Sequence, residues 1–181
     1  MESMEIMLRC ELADRPGSLA ALAGAISEAG GDIQAVNIVE AASKGHVLDD
    51  LMVVVDQPQI GELLDRVRGL ASVDLIHAGP SRGHPGDAVT RLAVGLEALL
   101  LGTMERARAV STLVGGLLRA DAAELVAHGD APPPDGRTLV LPFDELQLVL
   151  KRAYRFTEAE RERAEALLRL CQLSVSALST P

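Results

Sequence analysis

Through residues 5–78 the hydrophobic repeat of this chain switches between two residues and 3.6 residues in a fixed order, which limits the fold more than any other feature. Ile6, Leu8, Cys10 and Leu12 fall on one side of an extended segment and Met7, Arg9 and Glu11 on the other, the signature of a strand with one covered face. Asp14-Arg15-Pro16-Gly17 supplies a turn. Leu19, Leu22, Ala23, Ile26 and Ala29 then recur at helical spacing over about three turns, and Gly30-Gly31 ends the run. The β-branched stretches Asp32 to Glu40 and Leu48 to Val55 read as a hairpin about Ser43-Lys44-Gly45. Pro58 can open a second helix through Ile60, Leu63, Leu64, Val67 and Leu70, and Val73 to Ala78 is a last short strand.

The resulting order is βαββαβ. Right-handed crossovers place both helices on one face of a four-stranded antiparallel sheet, so an α+β, ferredoxin-like domain is expected, with its other face open. Gly79-Pro80-Ser81-Arg82-Gly83-His84-Pro85-Gly86 suits neither helix nor strand and marks a boundary. The expected organisation is a first domain over residues 1–80, a linker over 81–87 and a second domain over 88–181.

Beyond the linker, Asp87 to Leu101 and Met104 to Leu118 carry helical spacing broken at Gly102, as one long or interrupted helix. Asp121 to Ala127, Thr138 to Pro142 and Glu145 to Leu150 are strand candidates, the first two separated by the loop Ala131-Pro132-Pro133-Pro134-Asp135-Gly136. Thr157 and Glu160 form the pattern of a capping box before a final helix through Ala164, Leu167, Leu168, Leu170, Cys171 and Val175.

Composition narrows the function. A net charge of -9 opposes binding to nucleic acid or anionic lipid, and Phe143, Tyr154 and Phe156 are the whole aromatic set, too few for base-stacking platforms. Cys10 and Cys171 have no spacing of a metal or redox motif and are expected as buried thiols. His46, His77, His84 and His128 likewise lack metal-ligand spacing. Residues Met1 to Cys10 carry Glu2 and Glu5 and do not read as a signal peptide, and no apolar run reaches bilayer length, so a cytoplasmic protein is expected. Asp49-Asp50 reads as an exposed acidic pair where a strand begins, and Arg161, Glu162, Arg163 and Glu165 as a solvated helix face. With no nucleophile–base pair, phosphate loop or metal cluster, neither an enzyme nor a cofactor protein is expected.

The stretch LADRPGSLAALAGAISEAGGDIQAVN, Leu12 to Asn37, resembles the signature half of an ACT domain: strand, Asp/Asn-x-Pro-Gly turn, helix opening on a leucine, then Gly-Asp-Ile into the next strand. The resemblance covers residues 4 to about 79 and implies a regulatory module that binds a small molecule, usually an amino acid, at an interface between two domains rather than in a closed pocket. By position it brings in Asp14, Pro16 and Gly17 from the turn and Asp32 from the second strand. Leu12 departs from it, standing where some relatives carry a ligand-touching polar side chain. Residues 88–176 resemble the end of a GAF domain, in which a strand such as Leu146 to Leu150 leads through Tyr154-Arg155-Phe156-Thr157-Glu158-Ala159-Glu160 into a last helix. This second part is short for that family, which leaves helical dimerisation as its implied role.

A candidate site follows from both lines. Asp14, Pro16, Gly17, Ser18 and Leu19 at the first helix start, and Gly31, Asp32 and Ile33 at the second strand, are expected to meet in one polar corner at one end of the sheet. Free amides there accept a carboxylate while Asp14 or Asp32 takes an ammonium. The plainer alternative is that Asp14 caps the helix and Asp32 opens a strand. The expected function is amino-acid sensing by a homodimer or higher oligomer, the alternative a ligand-blind interaction protein that holds a protein partner.

Overall fold

The computed structural model of the protein describes residues 2–43, 45–83 and 85–178. It divides into two compact units, Met1–Pro85 and Gly86–Pro181. The first runs β1 (Ser3–Ala13), α1 (Ser18–Glu28), β2 (Asp32–Ser43), β3 (His46–Asp56), a 3₁₀ turn (Gln57–Gln59), α2 (Ile60–Arg68) and β4 (Val73–Pro80). All pairings are antiparallel and the strand order is β2-β3-β1-β4, which is the ferredoxin-like arrangement that the alternating periods require. Lys44, in the hairpin turn, and His84 lie outside the described residues.

Ile6, Leu8, Cys10 and Leu12 of β1 and Leu51, Val53 and Val55 of β3 bury against Leu22 and Ile26 of α1 and Leu63 and Val67 of α2. Gly31 fits this layer because it has no side chain. A Cβ there would lie 2.8 Å from Ile26 and Leu63 and 3.0 Å from Val53.

The sheet departs from expectation on its other face, which is not bare. Met7, Arg9, Asp50 and Met52 are buried there. Register places Arg9 directly opposite Asp50, and the two form a bidentate pair with Nε–Oδ1 2.7 Å and Nη2–Oδ2 2.9 Å. Opposite charges so paired can leave water where a lone one could not.

The boundary stretch is also more ordered than its Gly/Pro content suggests. β4 continues through Gly79 and Pro80, and an edge strand tolerates proline because its outer amides have no partner to lose.

The second unit contains α3 (Pro85–Leu100), α4 (Arg106–Leu117), β5 (Ala122–Ala127), β6 (Thr138–Phe143), β7 (Leu146–Lys151) and α5 (Glu158–Leu178). Pro85 opens α3, where its missing N–H costs nothing. Gly102, at φ 62°, breaks the helical run, and the Glu105 carboxylate caps α4 by accepting from the amides of Ala107 and Arg108. The three strands form an antiparallel sheet in the order β5-β7-β6. Leu139, Leu141, Leu148 and Leu150 bury against Val110 and Val114 of α4 and Ala164, Leu168 and Cys171 of α5.

The Thr157/Glu160 capping box closes in both directions, the Glu160 amide donating to Thr157 Oγ1 at 3.1 Å and the Thr157 amide to Glu160 Oε2 at 2.9 Å. The same Glu160 holds the buried Arg152 guanidinium, which also donates to the carbonyls of Leu118, Tyr154 and Arg155. The rings of Tyr154 and Phe156 stack on it at 4.2 and 3.9 Å.

Candidate ligand-binding site

β1 ends at Ala13, and the chain must reverse onto the helix layer within four residues. Gly17 makes this possible by taking φ 93°, a left-handed conformation that L side chains resist. Neighbouring loops hold the turn: the Ala13 amide donates to the Ser72 carbonyl and the Asp14 amide to the Gly45 carbonyl. Asp14, Arg15, Pro16 and Leu19 are exposed.

Among the described residues no side chain caps α1, and its first turn holds no acidic residue. Asp14 therefore does not cap the helix. The positive end of the α1 dipole and its early amides are left without a carboxylate partner.

The other half of the expected corner lies elsewhere. Asp32 stands opposite Val54, and Val54 opposite Glu5, whereas the Asp14 turn follows the opposite end of β1. The nine residues from Glu5 to Asp14 span roughly 30 Å of extended chain. The two halves thus sit at opposite ends of one sheet, because the Asp14–Gly17 turn, the 11 residues of α1 and the Ala29–Gly31 turn together carry the chain back along the sheet before β2 begins. Of the second group, Gly31 and Ile33 serve the core, and the exposed Asp32 carboxylate accepts from Gln34. The single polar corner expected of one chain is not formed.

Two carboxylates expected from the sequence to be exposed are buried in the first unit. β3 begins at His46, two residues earlier than expected, so Asp49 and Asp50 lie inside the strand and on opposite faces of the sheet, each 4% exposed. They are not a solvated pair where a strand begins. Asp50 is matched by Arg9. Asp49 shares the face of Val47, Leu51 and Val53, beneath the helices and opposite Cys10. Among the described residues its Oδ1 has no hydrogen-bond partner, and neither has the hydroxyl of Ser18, 5% exposed at the start of α1.

Burial and then the neighbouring Asp50 push the Asp49 carboxyl up from its ordinary value. Burial, and then Asp49, Asp50 and Asp74, push the Cys10 thiol up to about 12. Cys171 is raised by burial as well, and both cysteines are free and buried. The signal that could have found Asp49 was its place in the period-two run Val47, Asp49, Leu51, Val53, where it interrupts an apolar face.

Among the described residues no group of His, Cys, Asp and Glu side chains could hold a metal ion, and no helix is long and apolar enough to cross a membrane. His128 Nδ1 lies 3.1 Å from the Glu145 carbonyl, and His46 stands 4.0 Å from Glu11.

Residues 6–72 match the family model described as ACT domain. No curated protein matches the chain. Among solved structures it is similar to the ACT domain from GTP pyrophosphokinase of Chlorobium tepidum, at 20% identity over 46% of this chain and 92% of that one, with a TM-score of 0.35. It is also similar to the regulatory subunit of aspartate kinase from Thermus thermophilus, at 11% identity over 96% and 97% of the two chains, with a TM-score of 0.37. A putative glycine cleavage system transcriptional repressor is similar at 9% identity over 95% and 94%, with a TM-score of 0.41.

Proposed function

We propose, from the premise that residues 6–72 are an ACT domain, that the protein is a ligand-sensing regulator that binds an amino acid and acts through a change at an interface between two copies. The observation that carries this reading is the start of α1. Left-handed Gly17 turns the chain so that a helix end with no side-chain cap stands in an exposed turn, a place suited to a ligand carboxylate. Asp14 and Asp32 lie roughly 30 Å apart in one chain, so a site that used both would draw them from two copies.

In this reading residues 1–80 sense, residues 81–87 connect, and residues 88–181 are a shortened GAF-like module whose helices self-associate. Val89 and Val94 on α3 and Leu170 and Leu173 on α5 support the last point, being large apolar side chains that are 45–72% exposed. Neither catalysis nor a cofactor enters it.

A thermal-shift screen of the full chain with the twenty amino acids tests the reading. A ligand at 100 times its dissociation constant stabilises the state it binds by roughly 2.7 kcal/mol. Leu12 favours the second reading, a ligand-blind interaction protein, because it is 1% exposed and lies in the core with no polar group to offer. Absence of a shift with every amino acid selects that second reading.

A further inference from the structure

Asp49 has the burial of a core residue and the chemistry of a binding residue. An ionised carboxylate taken out of water without a partner is costly, and an apolar residue of similar size at such a place normally stabilises a fold. Arg9 and Asp50 show how the same sheet buries charges as a matched pair. Asp49 has no ion-pair partner among the described residues, and Asp50, the charged residue next to it, has its own sign.

Its place in the fold follows from two contacts of Gly31 and the rise of each element. Gly31 packs against Ile26 of α1 and Val53 of β3, which fixes the two elements at one level. Both run in the same direction, away from the Asp14 turn. Counting back from Ile26 to Ser18 retreats about 12 Å along the helix, and counting back from Val53 to Asp49 retreats about 13 Å along the strand. Asp49 therefore lies beneath the first turn of α1, at the level of Ser18, on the helix-facing side of the sheet.

Three features converge at that level: the uncapped helix end, the unpartnered hydroxyl of Ser18 and the unpartnered oxygen of Asp49. Only β2 separates Asp49 from the edge of the sheet. Ile38 pairs with Asp49 and Val36 with Leu51, so both share its face, and they are 60% and 42% exposed.

We propose that Asp49 is the ammonium-binding residue of the sensing site, and that the ligand is an aliphatic amino acid with its carboxylate on the α1 amides and its side chain on Val36 and Ile38. The inference rests on the amino-acid-sensing reading and names the residue and ligand class within it. Asp49 replaces Asp14 and Asp32 as the group that neutralises the amine. The unpaired carboxylate is tolerated because the ligand completes the pair.

The test is calorimetry with the full chain, L-leucine as the probe and 4-methylpentanoate as the same skeleton without its amine. Asp49→Asn should weaken L-leucine by about ten- to a hundredfold, the range for a hydrogen bond to a charged group, and leave 4-methylpentanoate unchanged. A second variant, Asp49→Leu, should melt at a higher temperature than the parent while losing L-leucine binding. A purely structural aspartate would give the opposite shift in melting. If L-leucine binds equally to parent and Asp49→Asn, or if a charged or amide amino acid binds in its place, this inference is overturned and the sensing reading stands. If no amino acid binds the parent protein, both fall.

Discussion

Glu160→Ala is the substitution for which the structure gives the most definite energetic expectation. Glu160 neutralises a guanidinium whose side chain is 0% exposed, and it completes the capping box of α5. Removing one partner of a buried pair leaves an uncompensated charge, which costs about 3–5 kcal/mol, and a lost helix cap adds about 1 kcal/mol. A domain has only about 5–15 kcal/mol in total, so the second unit should unfold at much lower denaturant. Glu160→Gln keeps the shape and one acceptor and should cost about 1.5–3 kcal/mol.

The chain supplies its own probe for this experiment. Tyr154 is its one tyrosine, there is no tryptophan, and the Tyr154 ring stacks on Arg152 itself. Urea unfolding followed by tyrosine emission therefore reports the second unit at the perturbed site. A loss below about 1 kcal/mol for Glu160→Ala, with an unchanged m-value, would refute the assignment of Arg152 and Glu160 as the joint between β7 and α5.

Two further outcomes follow from the first unit. Gly17→Ala should destabilise it by about 1–2 kcal/mol through the left-handed backbone alone, since a Cβ there meets open space; urea unfolding followed by circular dichroism would show no loss if the turn relaxes freely. The Cys10 thiol ionises near 9.0 in the unfolded chain and near 12 in the folded one, so the folded state keeps its proton longer. Its contribution is intact below pH 9 and is lost as pH rises toward 12, by about 4 kcal/mol at the upper end. Cys10→Ala should flatten this alkaline decline, and an equal decline in both proteins would assign it to other groups.

The order of elements in the first unit was legible because each segment shows its period over enough residues, as in Ile6 to Leu12 and Leu19 to Ala29. The capping box of Thr157 and Glu160 was legible for a related reason, being a local pattern with a local partner. What failed needed register. Asp14 and Asp32 read as neighbours because both flank α1, yet the helix and the turns on either side of it carry the chain to the far end of the sheet. Asp49-Asp50 read as solvated because acidic pairs usually are, and only the start of β3 at His46 turns one side chain to the helices and the other to Arg9. Arg152 carried no sequence signal, since its partners come from α4, the Tyr154 to Phe156 stretch and α5, and meet only in the fold.

The claim that an aliphatic amino acid is bound at the start of α1, over Asp49, is put to the test by titrating the ¹⁵N-labelled full chain with L-leucine and following its amide resonances. Saturable shifts are expected at Gly17, Ser18 and Leu19, with Asp49 and Ile38 moving at the same ligand concentrations. Shifts confined to residues 88–178, or no saturable shift at millimolar ligand, would contradict it.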